Sequence, residues 1–261
     1  MTELAGDWPA PAPGAAPLRQ LVTAQAGLEL RTLLRNGEQL LLTLVIPVLL
    51  LVAFGHEALV SVGPGSRIDF VVPGILALAV LSTAFTSLAI GTGFERRYGV
   101  LKRLGATPLS RQGLIAAKTL TVLAVEAAQF AIVLAIGALL GWTPHAGAAA
   151  AAWVPLLLLA GTAAFSGLAL LMAGTLRAEA TLAAANLIYL ILLGLGGVVF
   201  PLTKFPASVQ PLLKLLPSGA LSDGLRSVLA HAGGFPAADL LVLCVWAAAA
   251  IGLAARTFRW E

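Results

Sequence analysis

Long apolar runs fill this chain, and short polar or charged stretches separate them. The runs at roughly Phe70–Phe94, Leu114–Leu140, Ala149–Leu176, Thr181–Phe200 and Ala238–Ala255 approach or exceed the ~18–20 residues that let a helix cross a bilayer. A sixth run, roughly Leu40–Gly55, is shorter and contains Pro47, which a membrane helix tolerates when neighbours satisfy the carbonyl it frees. Ahead of it, Pro17–Arg35 mixes Leu18, Leu21, Val22, Leu28 and Leu30 with Arg19, Gln20, Glu29 and Arg31, as an amphipathic helix lying in the membrane interface would. The short segments of alternating polarity that build a transmembrane barrel are absent. The pattern predicts an all-α polytopic membrane protein with six transmembrane helices and an N-terminal interfacial helix. The fourth and fifth spans, joined by the short "RAEA" at 177–180, should be antiparallel neighbours.

Composition agrees with the pattern. Of 261 residues, 59% are hydrophobic and 11% charged, whereas a soluble domain is about half apolar and about a quarter charged. The lone cysteine, Cys244, excludes an internal disulfide and a cysteine-based metal site. His56, His145 and His231 lie far apart and read as loop residues, so no metal site is expected. The opening "MTELAGDWPAPAPGAAP" places Glu3 and Asp7 before any base, unlike a signal peptide. It reads as a disordered cytosolic tail over 1–17, with one six-helix transmembrane domain over 18–261. Lys and Arg set the orientation. With the N-terminus inside, only Arg67, Lys204, Lys214 and Arg226 of the 16 bases fall outside. Both termini are therefore expected in the cytosol, at the plasma membrane, with the bilayer and no nucleic acid as surroundings.

The densest basic stretch, "ERRYGVLKRLGATPLSR" from Glu95, then lies on the cytosolic side. Projected as one helix over 94–105, it puts Phe94, Tyr98 and Leu101 on one apolar face and Arg96 and Arg103 opposite. Gly105 suits the end of that helix, and Ser110 suits the cap of the next. Glu126, in the middle of the third span with Gln129 three residues on, is costly at that depth and so a functional candidate. It serves either as helix glue, with Asn186 on the fifth span as a partner, or in a transport pathway. Gly137 and Gly141 form a GxxxG, and the fourth span carries Gly161, Ser166, Gly167 and Gly174, all of which permit close helix approach. "GLGGVVFP" from Gly194 suits either a loosened gate or plain packing. No Gly-Lys pair occurs, so the chain lacks a phosphate-binding P-loop. G-x-S-x-G and H-E-x-x-H are also absent, and no catalytic residue is expected.

The order Glu95, Arg96, Gly99, Val100, Leu101, Arg103, Leu104, Thr107, Pro108, Leu109, Ser110 resembles the cytosolic loop of type-2 ABC exporter permeases, the drug-resistance and polysaccharide-export class. "VVFPLTKFPASVQPLLKLLPSGALSDGLRSVL" resembles their segment before the last span, through Phe200, Pro201, Leu202, Phe205, Pro206, Gln210, Pro217, Asp223, Gly224, Leu225 and Arg226. The chain departs from the family at "PSGA", where Pro-Leu-Thr-Tyr is frequent. The resemblance implies a permease that pairs with itself or a relative above separate ATPase subunits, which hold the ATP and Mg. It implies a coupling helix near Glu95–Leu104, with Glu95, Arg96, Arg97, Leu101, Lys102, Arg103, Thr107 and Pro108 serving the ATPase contact. It also implies short re-entrant helices forming an outer gate around Phe200, Pro201, Pro206, Asp223 and Arg226. The cargo expected is a hydrophobic or amphipathic drug, antibiotic or lipid. The alternatives are a lipid-linked polysaccharide or, with Glu126 carrying protons, a secondary transporter. Heavy Ala, Gly and Leu usage suggests a bacterial source.

Overall fold

The computed structural model describes residues 14, 16–37, 41–56, 66–144, 150–230 and 235–257. Most of the 1–17 tail, Leu40, His145, His231 and Arg259 lie outside them, as do the side chains of His56 and Arg111. Helix α1 is Leu18–Arg35. Helix α2 opens with a π-helical turn, Leu41–Val45, and continues as α-helix through Ile46–His56. Helix α3 runs Arg67–Arg97 with a π-helical stretch at Leu81–Ser87. Then come α4 (Val100–Gly105), α5 (Arg111–Leu139), α6 (Ala150–Thr175) and α7 (Ala178–Leu195). A 3-10 turn at Leu202–Lys204 leads to two short helices, α8 (Gln210–Lys214) and α9 (Pro217–Leu229), and to the last helix, α10 (Ala237–Thr257). No strand occurs among the described residues.

Five helices, α3, α5, α6, α7 and α10, are long and apolar enough to cross a membrane. The expected first span falls short of the other five. Its apolar part, Thr43–Gly55, is about 20 Å long at ~1.5 Å per residue, against about 30 Å of hydrocarbon. Pro47 explains its irregular start. It has no N–H to donate to the carbonyl four residues back, at Thr43, and the backbone there widens into the π turn.

Helix α3 is the centre of the bundle. Its residues from Val71 to Phe85 are buried on every side, and Phe85 meets Phe165 of α6 with ring centroids 6.4 Å apart. Small residues on α6 permit the approach of its neighbours. A Cβ at Gly167 would lie 3.0 Å from the backbone nitrogen of Ile251 on α10, and one at Gly161 would lie 2.9 Å from Leu221 on α9. Helix α1 packs along α5 at the end of the bundle that carries the basic stretch. Helices α7 and α10 keep exposed apolar faces that include Leu187, Leu190, Leu241 and Val245, a surface suited to acyl chains.

Two local expectations are corrected. Gly137 and Gly141 do not form a helix face, because α5 ends at Leu139. Gly141 takes a left-handed φ of 85°, and the Trp142 N–H returns to the Gly137 carbonyl at 2.9 Å, closing the helix end as a Schellman turn. The α6–α7 connection is shorter than expected. Only Leu176 and Arg177 join the helices, and Ala178, Glu179 and Ala180 already belong to α7.

Candidate functional site

The basic stretch is a broken helix, not a continuous one. Gly99 adopts a left-handed φ of 69°, so α3 stops at Arg97 and α4 starts at Val100. That conformation costs a side-chain-bearing residue roughly 1–2 kcal/mol, which suits glycine to the kink. The kink dissolves the single apolar face expected of 94–105. Leu101 is fully buried, whereas Tyr98 is 64% exposed and stacks on Phe94. Arg96 turns towards the bundle, while Arg97 stays exposed and reaches sideways to α7. Arg96 donates to the Leu176 carbonyl at the end of α6, and Arg97 pairs with Glu179 in the first turn of α7. Lys102, Arg103, Thr107 and Pro108 remain exposed. Arg103 donates to the Tyr98 carbonyl at 3.0 Å, across the kink.

Beneath this surface, three elements are tied together. Leu101, Leu109 and Leu114 form a buried cluster with Leu21 and Val22 of α1 and Leu104 of α4. Ser110 accepts the Gly113 N–H at 3.1 Å, the cap expected for α5. Lys118 of α5 is almost wholly buried, with its Nζ 2.6 Å from Glu95 of α3 and 3.4 Å from Glu29 of α1. Gln25 also donates to Glu29, at 2.9 Å. Sequence reasoning missed this triad. The available signal was a lysine two turns inside an apolar helix, a place where a charge requires a partner.

A polar hub lies deeper, on the inward face of α5. Gln129 donates to the Thr43 carbonyl, the group that Pro47 leaves without its helical donor. It also accepts from Thr83, in the π stretch of α3, at 2.9 Å. Glu126, one turn away, accepts from Thr162 of α6 at 2.6 Å. Glu126 and Gln129 thus join α5 to α2, α3 and α6. Asn186 does not take part, since its side chain is exposed and donates to the Leu182 carbonyl of its own helix at 2.9 Å.

Asn186 lines a cavity instead. A cleft of about 630 Å³ lies between α2, the π stretch of α3 and α7, with Thr43, Ser82, Thr86, Ser87, Asn186 and Tyr189 among its walls. A second cleft, of about 540 Å³, adjoins it through Asn36, Ser87, Gly91 and Phe94 and reaches the Lys118 triad.

The opposite end is held by Arg226 of α9, which is 7% exposed. It donates to the Val198 carbonyl at 3.1 Å and the Phe70 carbonyl at 3.3 Å, and its guanidinium sits 3.7 Å from the centroid of the Phe70 ring. Gly74 makes room for it, because a Cβ there would come 2.5 Å from the Val198 carbonyl oxygen and 2.9 Å from the guanidinium. Ser222 donates to the Gly196 carbonyl at 2.8 Å, so this part of "GLGGVVFP" is closely packed. Asp223 is 3.8 Å from Lys214. Pro201 is buried, while Phe200 and Pro206 are exposed.

Five membrane-length apolar helices, a buried polar hub and an open interhelical cleft define a multi-pass helical membrane protein. The model of the ABC-2 type transporter family matches residues 22–230. The chain belongs to that family and is a type-2 ABC transporter permease, a membrane subunit that is not itself catalytic and whose family implies an ABC ATPase partner. Comparison with curated proteins gives no match.

Proposed function

We propose that this permease is the transmembrane half of an ATP-driven exporter, moving an amphipathic drug, antibiotic or lipid out across the plasma membrane. It works as a pair, with itself or a related permease, and both termini lie in the cytosol. ATP and Mg bind the ATPase subunits. The observation that carries the reading is the kinked segment Val100–Gly105. It presents Lys102 and Arg103 outward, while Leu101 is locked into the cluster shared by α1 and α5. A push on the exposed side therefore reaches two long helices. Helices α8 and α9, braced by Arg226, serve in this reading as the outer gate.

Lys102→Glu with Arg103→Glu should abolish co-purification of the ATPase while leaving the permease in the membrane. Retained ATPase binding and transport in that variant would show that docking lies elsewhere. The buried Glu126 supports a second reading, a proton-coupled carrier. In vesicles holding the complete complex, transport that requires ATP and survives collapse of the proton gradient excludes it. A lipid-linked polysaccharide as cargo is tested in the same vesicles by competition with a short-chain lipid pyrophosphate.

A further inference from the structure

The cleft between α2, α3 and α7 has a specific chemistry. Its described lining combines the apolar side chains of Ile46, Ile90, Phe94 and Leu182 with hydroxyls and amides. None of the described residues lining it is charged. The hydroxyls are concentrated by the π-helical stretch Leu81–Ser87, which supplies Ser82, Thr86 and Ser87. A π-helical turn inside an α-helix often marks a functional site. Thr86 Oγ1 is buried and has no hydrogen-bond partner, and such a group is destabilising until something pairs with it. Across the cleft, Asn186 uses one amide N–H on its own helix and keeps its carbonyl oxygen and a second N–H for another partner. The adjoining cleft does carry charge among its described residues, but there Lys118 pairs with Glu29 and Glu95.

We infer that this cleft binds an uncharged amphiphile, an alkyl or acyl chain bearing a hydroxyl- or amide-rich head group such as a glycoside. The chain lies along Ile46, Ile90 and Leu182, and the head group bonds Thr86, Ser87 and Asn186. A cationic or phosphate head group would give up part of its hydration and find no opposite charge among the described lining residues, so it binds more weakly. The inference deepens the exporter reading and rests on it for the direction of transport, though not for binding.

The test uses the full chain in nanodiscs of zwitterionic lipid, without nucleotide, and a dodecyl glucoside carrying a diazirine in its chain. Photolabelling should fall on the peptides around 82–94 and 182–189. Unlabelled dodecyl glucoside should displace the probe at a concentration about tenfold lower than dodecyltrimethylammonium or dodecyl phosphate, a difference of ~1.4 kcal/mol. Thr86→Val and Asn186→Leu should each cut labelling several-fold at an unchanged thermal midpoint, and Thr86→Ser should restore it. Equal or better displacement by either charged amphiphile, or labelling indifferent to both substitutions, overturns the inference. A glucosyl diacylglycerol that competes as well as the dodecyl glucoside identifies a membrane-borne ligand, and competition by the short chain alone identifies a soluble one. Binding without ATP-dependent transport sinks the exporter reading and leaves the site standing. Transport without labelling does the reverse.

Discussion

At the scale of single residues, the structure turns on polar side chains that supply what the backbone lacks. Gln129 is the clearest case. Pro47 removes a helical donor, and the carbonyl it exposes at Thr43 receives the Gln129 amide from another helix. Gln129→Leu deletes both the bond to the Thr43 carbonyl and the bond from Thr83, a loss of about 2–3 kcal/mol. The thermal midpoint of the purified permease should drop by roughly 8 °C. Adding Pro47→Ala restores the local N–H, so the double variant should recover most of that loss. If the two substitutions simply add, the pairing does not do what is claimed for it. Gly74 makes the same point in terms of space. Gly74→Ala would press a methyl against the Val198 carbonyl and the Arg226 guanidinium, costing about 1–3 kcal/mol, again read as a lower midpoint.

At the scale of elements, the ion triad decides where α1 lies. Lys118 faces two carboxylates, one on α1 and one on α3. Removing the lysine leaves both acids partly buried without a counter-ion, a situation worth roughly 3–5 kcal/mol. Lys118→Met should therefore release α1, and trypsin should cut faster at Arg19, Arg31 and Arg35. Glu29→Gln leaves Lys118 its shorter bond to Glu95 and should have a milder effect. Equal protection of α1 in wild type and Lys118→Met would mean that the apolar cluster of Leu21 and Val22 holds it alone. The kink at Gly99 belongs to this scale too, since it separates Arg96 and Arg97, bonded to the end of α6 and the start of α7, from Lys102 and Arg103 on α4.

At the scale of the whole molecule, the proposed topology follows the charge bias and has the basic end in the cytosol. In a Cys244→Ala background, a cysteine at Lys204 should react with a membrane-impermeant maleimide in intact cells. A cysteine at Lys102 should react only after lysis. The opposite pattern would invert the topology and remove the basis for an ATPase docking at Lys102 and Arg103.

The five longest helices, Ser110 as a cap and the oddity of Glu126 and Gln129 were all legible in the linear pattern. Apolar run length and capping chemistry are local properties, and a buried acid is conspicuous wherever it falls. The partners were not legible, because partnership depends on distance in space. Asn186 looked like a mate for Glu126 and instead lines a cleft, while Thr162, unremarked in its apolar run, holds the acid. A helical projection made one face of Phe94, Tyr98 and Leu101, but the backbone bends at Gly99. Arg96 and Arg97 could not be told from Lys102 and Arg103 by charge. Only the fold brings the Leu176 carbonyl and Glu179 to the first pair and leaves the second without a contact to either helix. The sequence by itself determined that this chain is a bundle of membrane helices with a basic end, because burial in lipid demands apolar length and internal backbone bonding. Tertiary structure decided which polar groups meet, because each buried donor and acceptor had to find its partner on another helix.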